Sequence, residues 1–142
     1  MRVGYLRSVL VAVVAAAAIV VTPSAAVAAA VERAVRCSPG PSGNACVRLY
    51  TDAGEIWAVG ATDPYTGHHI RLDWVALYID YDLDGVYNLY GYKSGVDSWS
   101  YQRIASPHAV LVCPRDYMAK MQYLVDGSRS YQLSAVWQLR SC

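Results

Sequence analysis

The sequence predicts an all-β fold: a single small antiparallel β-sandwich or up-and-down barrel of about eight strands, closed by two disulfides. Three observations lead there. Beyond Cys46, apolar and polar residues alternate with a period of two almost without interruption, and clusters of Gly, Asp, Pro and Ser separate the alternating runs. No stretch sustains a helical period. The four cysteines, Cys37, Cys46, Cys113 and Cys142, are even in number and all follow the amino-terminal apolar segment, the usage expected of a small exported domain.

That apolar segment has the layout of a secretory signal. Arg2 and Arg7 precede an uncharged run over 8–21, the turn-prone Thr22-Pro23-Ser24 follows, and small-residue cleavage options lie at 26–28 and 28–30. Residues 1–29 therefore read as a cleaved signal and 30–142 as one secreted domain. The mature chain, roughly 110 residues, suffices for one core and not two. No later segment is apolar enough to span a bilayer. Loss of Arg2 and Arg7 leaves ten Lys and Arg against eleven Asp and Glu, so the charge passes from +1 to −1. Nothing in such a balance argues for nucleic acid or anionic lipid as partner, and neither is expected.

The elements follow in order. Residues 29–36 carry no alternating apolar pattern and read as a frayed start, anchored only at Cys37. Three pairings of the four cysteines are possible; the favoured one joins Cys37 with Cys46, closing the small loop Ser-Pro-Gly-Pro-Ser-Gly-Asn-Ala, and Cys113 with Cys142, tying the carboxy terminus to an interior strand. Each bridge would stabilise by about 2 to 4 kcal/mol, mainly by restricting the unfolded chain. Residues 46–51 and 55–61 read as strands around Asp52-Ala53-Gly54, and 62–67 as a loop. The run 68–81 is the longest strand, with Ile70, Leu72, Trp74, Ala76 and Tyr78 on one face; the other begins polar and ends apolar. Further strands are expected over 86–93, 99–104 and 109–113. Ala, Lys and Met within 114–124 favour helix, but alternation over 117–125 and 130–140 around Asp126-Gly127 favours a strand pair.

Asp80, Asp82 and Asp84, with Gly85 next, occupy the first, third, fifth and sixth places of a twelve-residue calcium loop. The twelfth place, which needs a bidentate Glu, holds Gly91. Such loops also join helices, whereas strands flank this one. The competing reading is a hairpin tip whose carboxylates accept local backbone amides, and a weak extracellular calcium site is the alternative.

The chain has twelve Tyr, four Trp and no Phe, so every aromatic ring carries a polar handle suited to a half-wet surface. Asn88, Tyr90 and Tyr92 alternate along one expected strand, and Trp99, Tyr101 and Arg103 along the next. Together they form the candidate surface for stacking on sugar rings or docking a protein. His68 and His69 are neighbours and would point apart in a strand, so they cannot chelate one ion. There is no His-Glu-x-x-His, Gly-x-Ser-x-Gly or phosphate-cradling glycine loop, and the cysteines are assigned to bridges.

Over Ser42-Gly-Asn-Ala-Cys-Val-Arg-Leu-Tyr-Thr-Asp-Ala-Gly54, the sequence resembles the opening of small exported bacterial protease inhibitors with a Gly-x-x-Cys-x-x-x-Tyr cadence. The resemblance covers about a dozen residues. It implies a disulfide-stiffened inhibitory loop. Pro39 and Pro41 suit a specificity position poorly, which leaves Arg115 as the candidate. The reading from the residues is a secreted, non-catalytic domain that binds an extracellular protein or polysaccharide. A protease inhibitor, a small hydrolase and a structural protein of the cell envelope are the alternatives.

Overall fold

Period-two burial is the pattern from which the domain is built. In β2 (Gly43–Asp52) every second residue is buried, so Ala45, Val47, Leu49 and Thr51 face inward while Arg48 and Tyr50 face outward. In the computed structural model, which describes residues 29–127 and 129–142, the other strands are β1 (Val31–Gly40), β3 (Glu55–Pro64), β4 (Ile70–Asp80), β5 (Asn88–Ser94), β6 (Asp97–Ser98), β7 (Gln102–Ala105), β8 (Ala109–Val110), β9 (Arg115–Val125) and β10 (Arg129–Leu139). Among the described residues there is no helix, and hence none long and apolar enough to cross a membrane. The expected signal, apart from Ala29, lies outside the described residues.

Two antiparallel sheets result, a sandwich and not a barrel. One runs β1-β2-β3-β7 with β8 also on β3; the other runs β10-β9-β4-β5 with β6 also on β4. Their inner faces interdigitate through Val47, Leu49 and Ile56 on one side and Leu72, Val75, Leu77, Ile79, Tyr117 and Met121 on the other. Both expected bridges are formed, Cys37–Cys46 and Cys113–Cys142.

Several expectations need correction. Residues 31–36 are not frayed, because β1 pairs with β2 along its length, and only 29 and 30 precede the strand. Its backbone ladder needs no apolar alternation. Arg33 is the extra residue of a bulge; its Nε donates to Thr51 Oγ1 at 2.7 Å and its guanidinium lies 5.1 Å from the Trp137 ring centre. These contacts tie β1 to both sheets. The segment between Cys37 and Cys46 is likewise no loop. Those cysteines are facing residues of the β1–β2 hairpin, with strand on both sides of a short turn. The strand expected at 99–104 is shorter, at 102–105, and leaves Trp99 outside it.

The largest departure is in β4. Pairing with β9 shifts register between Leu72 and Trp74, making Asp73 a bulge residue. An extra residue reverses the phase of the pleat. Ile70 and Leu72 therefore share the core with Val75, Leu77 and Ile79, while Trp74, Ala76 and Tyr78 move to the outer face. Gly95 makes the bend sterically feasible: its amide donates to Asp73 O at 3.3 Å, and a Cβ there would stand 2.5 Å from Leu72 O.

Candidate functional site

At the far end of β4, Asp80 is buried and accepts hydrogen bonds from the amides of Asp84 at 3.2 Å and Gly85 at 2.8 Å. Asp84 Oδ1 accepts from Val86 N at 2.8 Å, and Leu83 and Gly85 take positive φ. These are the local bonds of an Asp-rich turn. Asp82 is exposed at its tip. A calcium ion at Asp80 would have to displace those amides, and no group of three or more His, Cys, Asp or Glu among the described residues is placed to hold a metal. Across the sheet Asp80 faces Asp116, also buried, which accepts Nη2 of Arg140 at 2.6 Å. Hydrogen bonding to Asp116 raises the Arg140 guanidinium further above its ordinary value. Burial, with the nearby charges of Asp116 and Asp80, pushes the Tyr87 phenol up.

The six residues expected to form one aromatic surface are distributed over several places. Tyr90 is the extra residue of a bulge in β5, where Leu77 faces Gly91 and Tyr78 faces Leu89. That bulge separates Asn88 from Tyr92. The Tyr90 hydroxyl donates to His108 O at 3.1 Å, so its polar end is used within the fold. Trp99 lies 4.7 Å from the His69 ring, and His69 Nδ1 lies 2.8 Å from Asp97 Oδ1. Tyr101 and Arg103 belong to the first sheet's outer side, where the Arg103 guanidinium lies 5.6 Å from the Tyr50 ring centre. Tyr50 stacks with Trp57 at 6.1 Å and Trp57 with His108 at 4.2 Å. His108 in turn meets Glu55 at 2.8 Å. Internal stacking already engages this platform.

Tyr92 belongs to a different surface. On the outer face of the second sheet, Trp74, Ala76 and Tyr78 of β4 and Leu89 and Tyr92 of β5 line a shallow open groove of about 180 Å³. Tyr92 faces Ala76 across the strand pair and is 59% exposed. Lys120 and Gln122 of β9 flank Ala76 and Trp74. A polar ladder runs beside the rings: Gln132 Nε2 donates to Gln122 Oε1 at 3.0 Å, Gln122 Nε2 donates to Asp73 Oδ2 at 3.0 Å, and Arg71 Nε donates to Asp73 Oδ1 at 2.7 Å. The bulge at Asp73 thus creates both halves of the groove, turning Trp74 outward and anchoring the amides next to it.

Sequence reasoning placed Trp74 and Tyr78 with the core and so missed them. The available signal was the apolar doublet Trp74-Val75, where polar-apolar alternation breaks directly after Asp73. Arg115, the candidate inhibitory residue, opens β9 with its guanidinium 4.8 Å from the Tyr81 ring centre. Fold and groove together define a two-disulfide β-sandwich with an aromatic outer face. Compared with family models, curated proteins and solved structures, the chain matches none.

Proposed function

We propose that this is a secreted, non-catalytic binding domain for extracellular polysaccharide, with the Trp74, Tyr78 and Tyr92 groove as its site. The observation carrying the reading is the adjacency of outward aromatic rings to the Gln132, Gln122 and Asp73 ladder. A sugar offers apolar C–H faces to rings and hydroxyls to amides and carboxylates, and this surface offers both kinds of contact side by side. Its open, shallow shape suits one segment of a long chain better than an enclosed small molecule. Two bridges fit an oxidising compartment. The inhibitor alternative is less well supported, since Cys37–Cys46 joins facing strand residues and Arg115 rests on Tyr81.

Pull-down of the oxidised domain on a panel of insoluble polysaccharides, followed by titration with soluble fragments of any that retain it, tests the proposal. Tyr92→Ala should weaken retention about tenfold, as loss of roughly 1.4 kcal/mol of stacking implies. Its exposure leaves the fold intact. Retention unchanged by both Tyr92→Ala and Trp74→Ala, or no retention on any matrix, would overturn it.

A further inference from the structure

The opposite end of the sandwich holds a second feature. Where β4 begins, beside the contact of Ile70 with Gly43, a cleft of about 240 Å³ lies between the tip of the β1–β2 hairpin and Tyr123 and Tyr131. Its cause is a mismatch of residue sizes. The hairpin wall is Ser, Pro and Gly, which supply little volume, and the facing wall is two tyrosines stacked at 5.4 Å. Pro39 and Pro41 fix backbone φ in that wall, so the gap is held open and little conformational entropy is lost when it fills. The cleft continues past Ser42 and Tyr131 to a polar mouth that Arg129 and Asp126 line.

The two charges at that mouth are differently engaged. Asp126 is engaged: Oδ2 lies 2.7 Å from His68 Nδ1, and Oδ1 accepts from His69 N at 3.0 Å. Arg129 is exposed, and its side chain has no ion pair or hydrogen bond among the described residues. A guanidinium free to form paired bonds recognises a planar carboxylate. The volume exceeds that of a benzene-sized cavity, about 150 Å³, and so admits a single six-membered ring.

We infer that this cleft is a second binding site, taking one ring that bears a carboxylate: the ring lies between the proline wall and Tyr131, and the carboxylate meets Arg129. A hexuronate at a polysaccharide end and a free aryl acid share this chemistry. The inference does not depend on the polysaccharide groove, which lies on another face.

Amide chemical-shift titration of the oxidised protein tests it with D-glucuronate, benzoate and neutral methyl glucoside. One or both acids should move the amides of Ser42, Val125 and Tyr131 while those of Trp74 and Tyr92 stay still, and methyl glucoside should not. Response to glucuronate alone would assign a saccharide end, and to benzoate alone an aryl acid. Arg129→Gln, at an exposed position, should weaken the response tenfold or more. The site is overturned if neither acid moves those amides, if the neutral glycoside moves them equally, or if Arg129→Gln binds as tightly as the parent.

Discussion

Tyr117 is fully buried yet keeps a hydroxyl, because Val112 uses both of its hydrogen-bonding capacities. The hydroxyl donates to Val112 O and accepts from Val112 N, each at 2.8 Å. Burial holds this phenol above its ordinary value. Tyr117→Phe would strand two polar backbone groups, and urea unfolding should register a loss of about 1 to 3 kcal/mol. Asp126 shows the opposite sign at the surface. The hydrogen bond with His68, then that from the His69 amide, holds its carboxyl below the ordinary 3.8. A depressed folded value contributes stability fully above the unfolded value, and that contribution disappears as pH falls through the folded one. Asp126→Asn should therefore melt lower than the parent near neutrality, and the difference should shrink on acidification below about pH 4. A thermal melt series against pH measures it. Both residues fell in elements read from the sequence, Tyr117 in an expected strand and Asp126 in an expected turn. Their partners were not legible, since Val112 lies outside any strand and His68 is distant along the chain.

Elements were legible where alternation and turn chemistry agreed. At Asp52-Ala53-Gly54 the strands return through Ala53 at φ 46° and Gly54 at φ 80°, and residues 55–61 were correctly read as a strand. The bulges at Arg33 and Tyr90 were not legible, and that at Asp73 left the Trp74-Val75 doublet as its one trace. A bulge adds one residue without changing composition, so period-two reasoning runs straight through it and assigns every later side chain to the wrong face. That is why the expected row of Asn88, Tyr90 and Tyr92 is broken and why Trp74 and Tyr78 emerge on the outside. The bend at Asp73 depends on close approach by Gly95. Gly95→Ala should cost about 1 to 3 kcal/mol, since a Cβ there meets Leu72 backbone and not a movable side-chain end. The groove should loosen with it. Denaturant unfolding, paired with near-ultraviolet circular dichroism of Trp74's surroundings, would show both, and an unchanged midpoint would contradict this account of the bend.

At the scale of the molecule, the two bridges act at opposite ends of the chain with different weight. Cys37–Cys46 spans a separation of 9 residues within one hairpin, whereas Cys113–Cys142 spans 29 and fixes the carboxy terminus, including Arg140 over Asp116. Chain-entropy estimates give about 3 kcal/mol for the first and about 4 kcal/mol for the second. The Cys113→Ala, Cys142→Ala pair should thus destabilise more than Cys37→Ala, Cys46→Ala in guanidinium unfolding. Equal losses would contradict the chain-entropy account of the difference. The sequence by itself determined the all-β class and most strand positions, because those depend on local alternation and turn residues; it favoured the cysteine pairing that forms but left three open, and the structure decided among them. Only the tertiary structure decided which rings share a surface. A ring's face depends on the cumulative count of residues through each bulge, and its neighbours come from strands distant in sequence. Such long-range register is fixed by the packing of two sheets, which no single segment records.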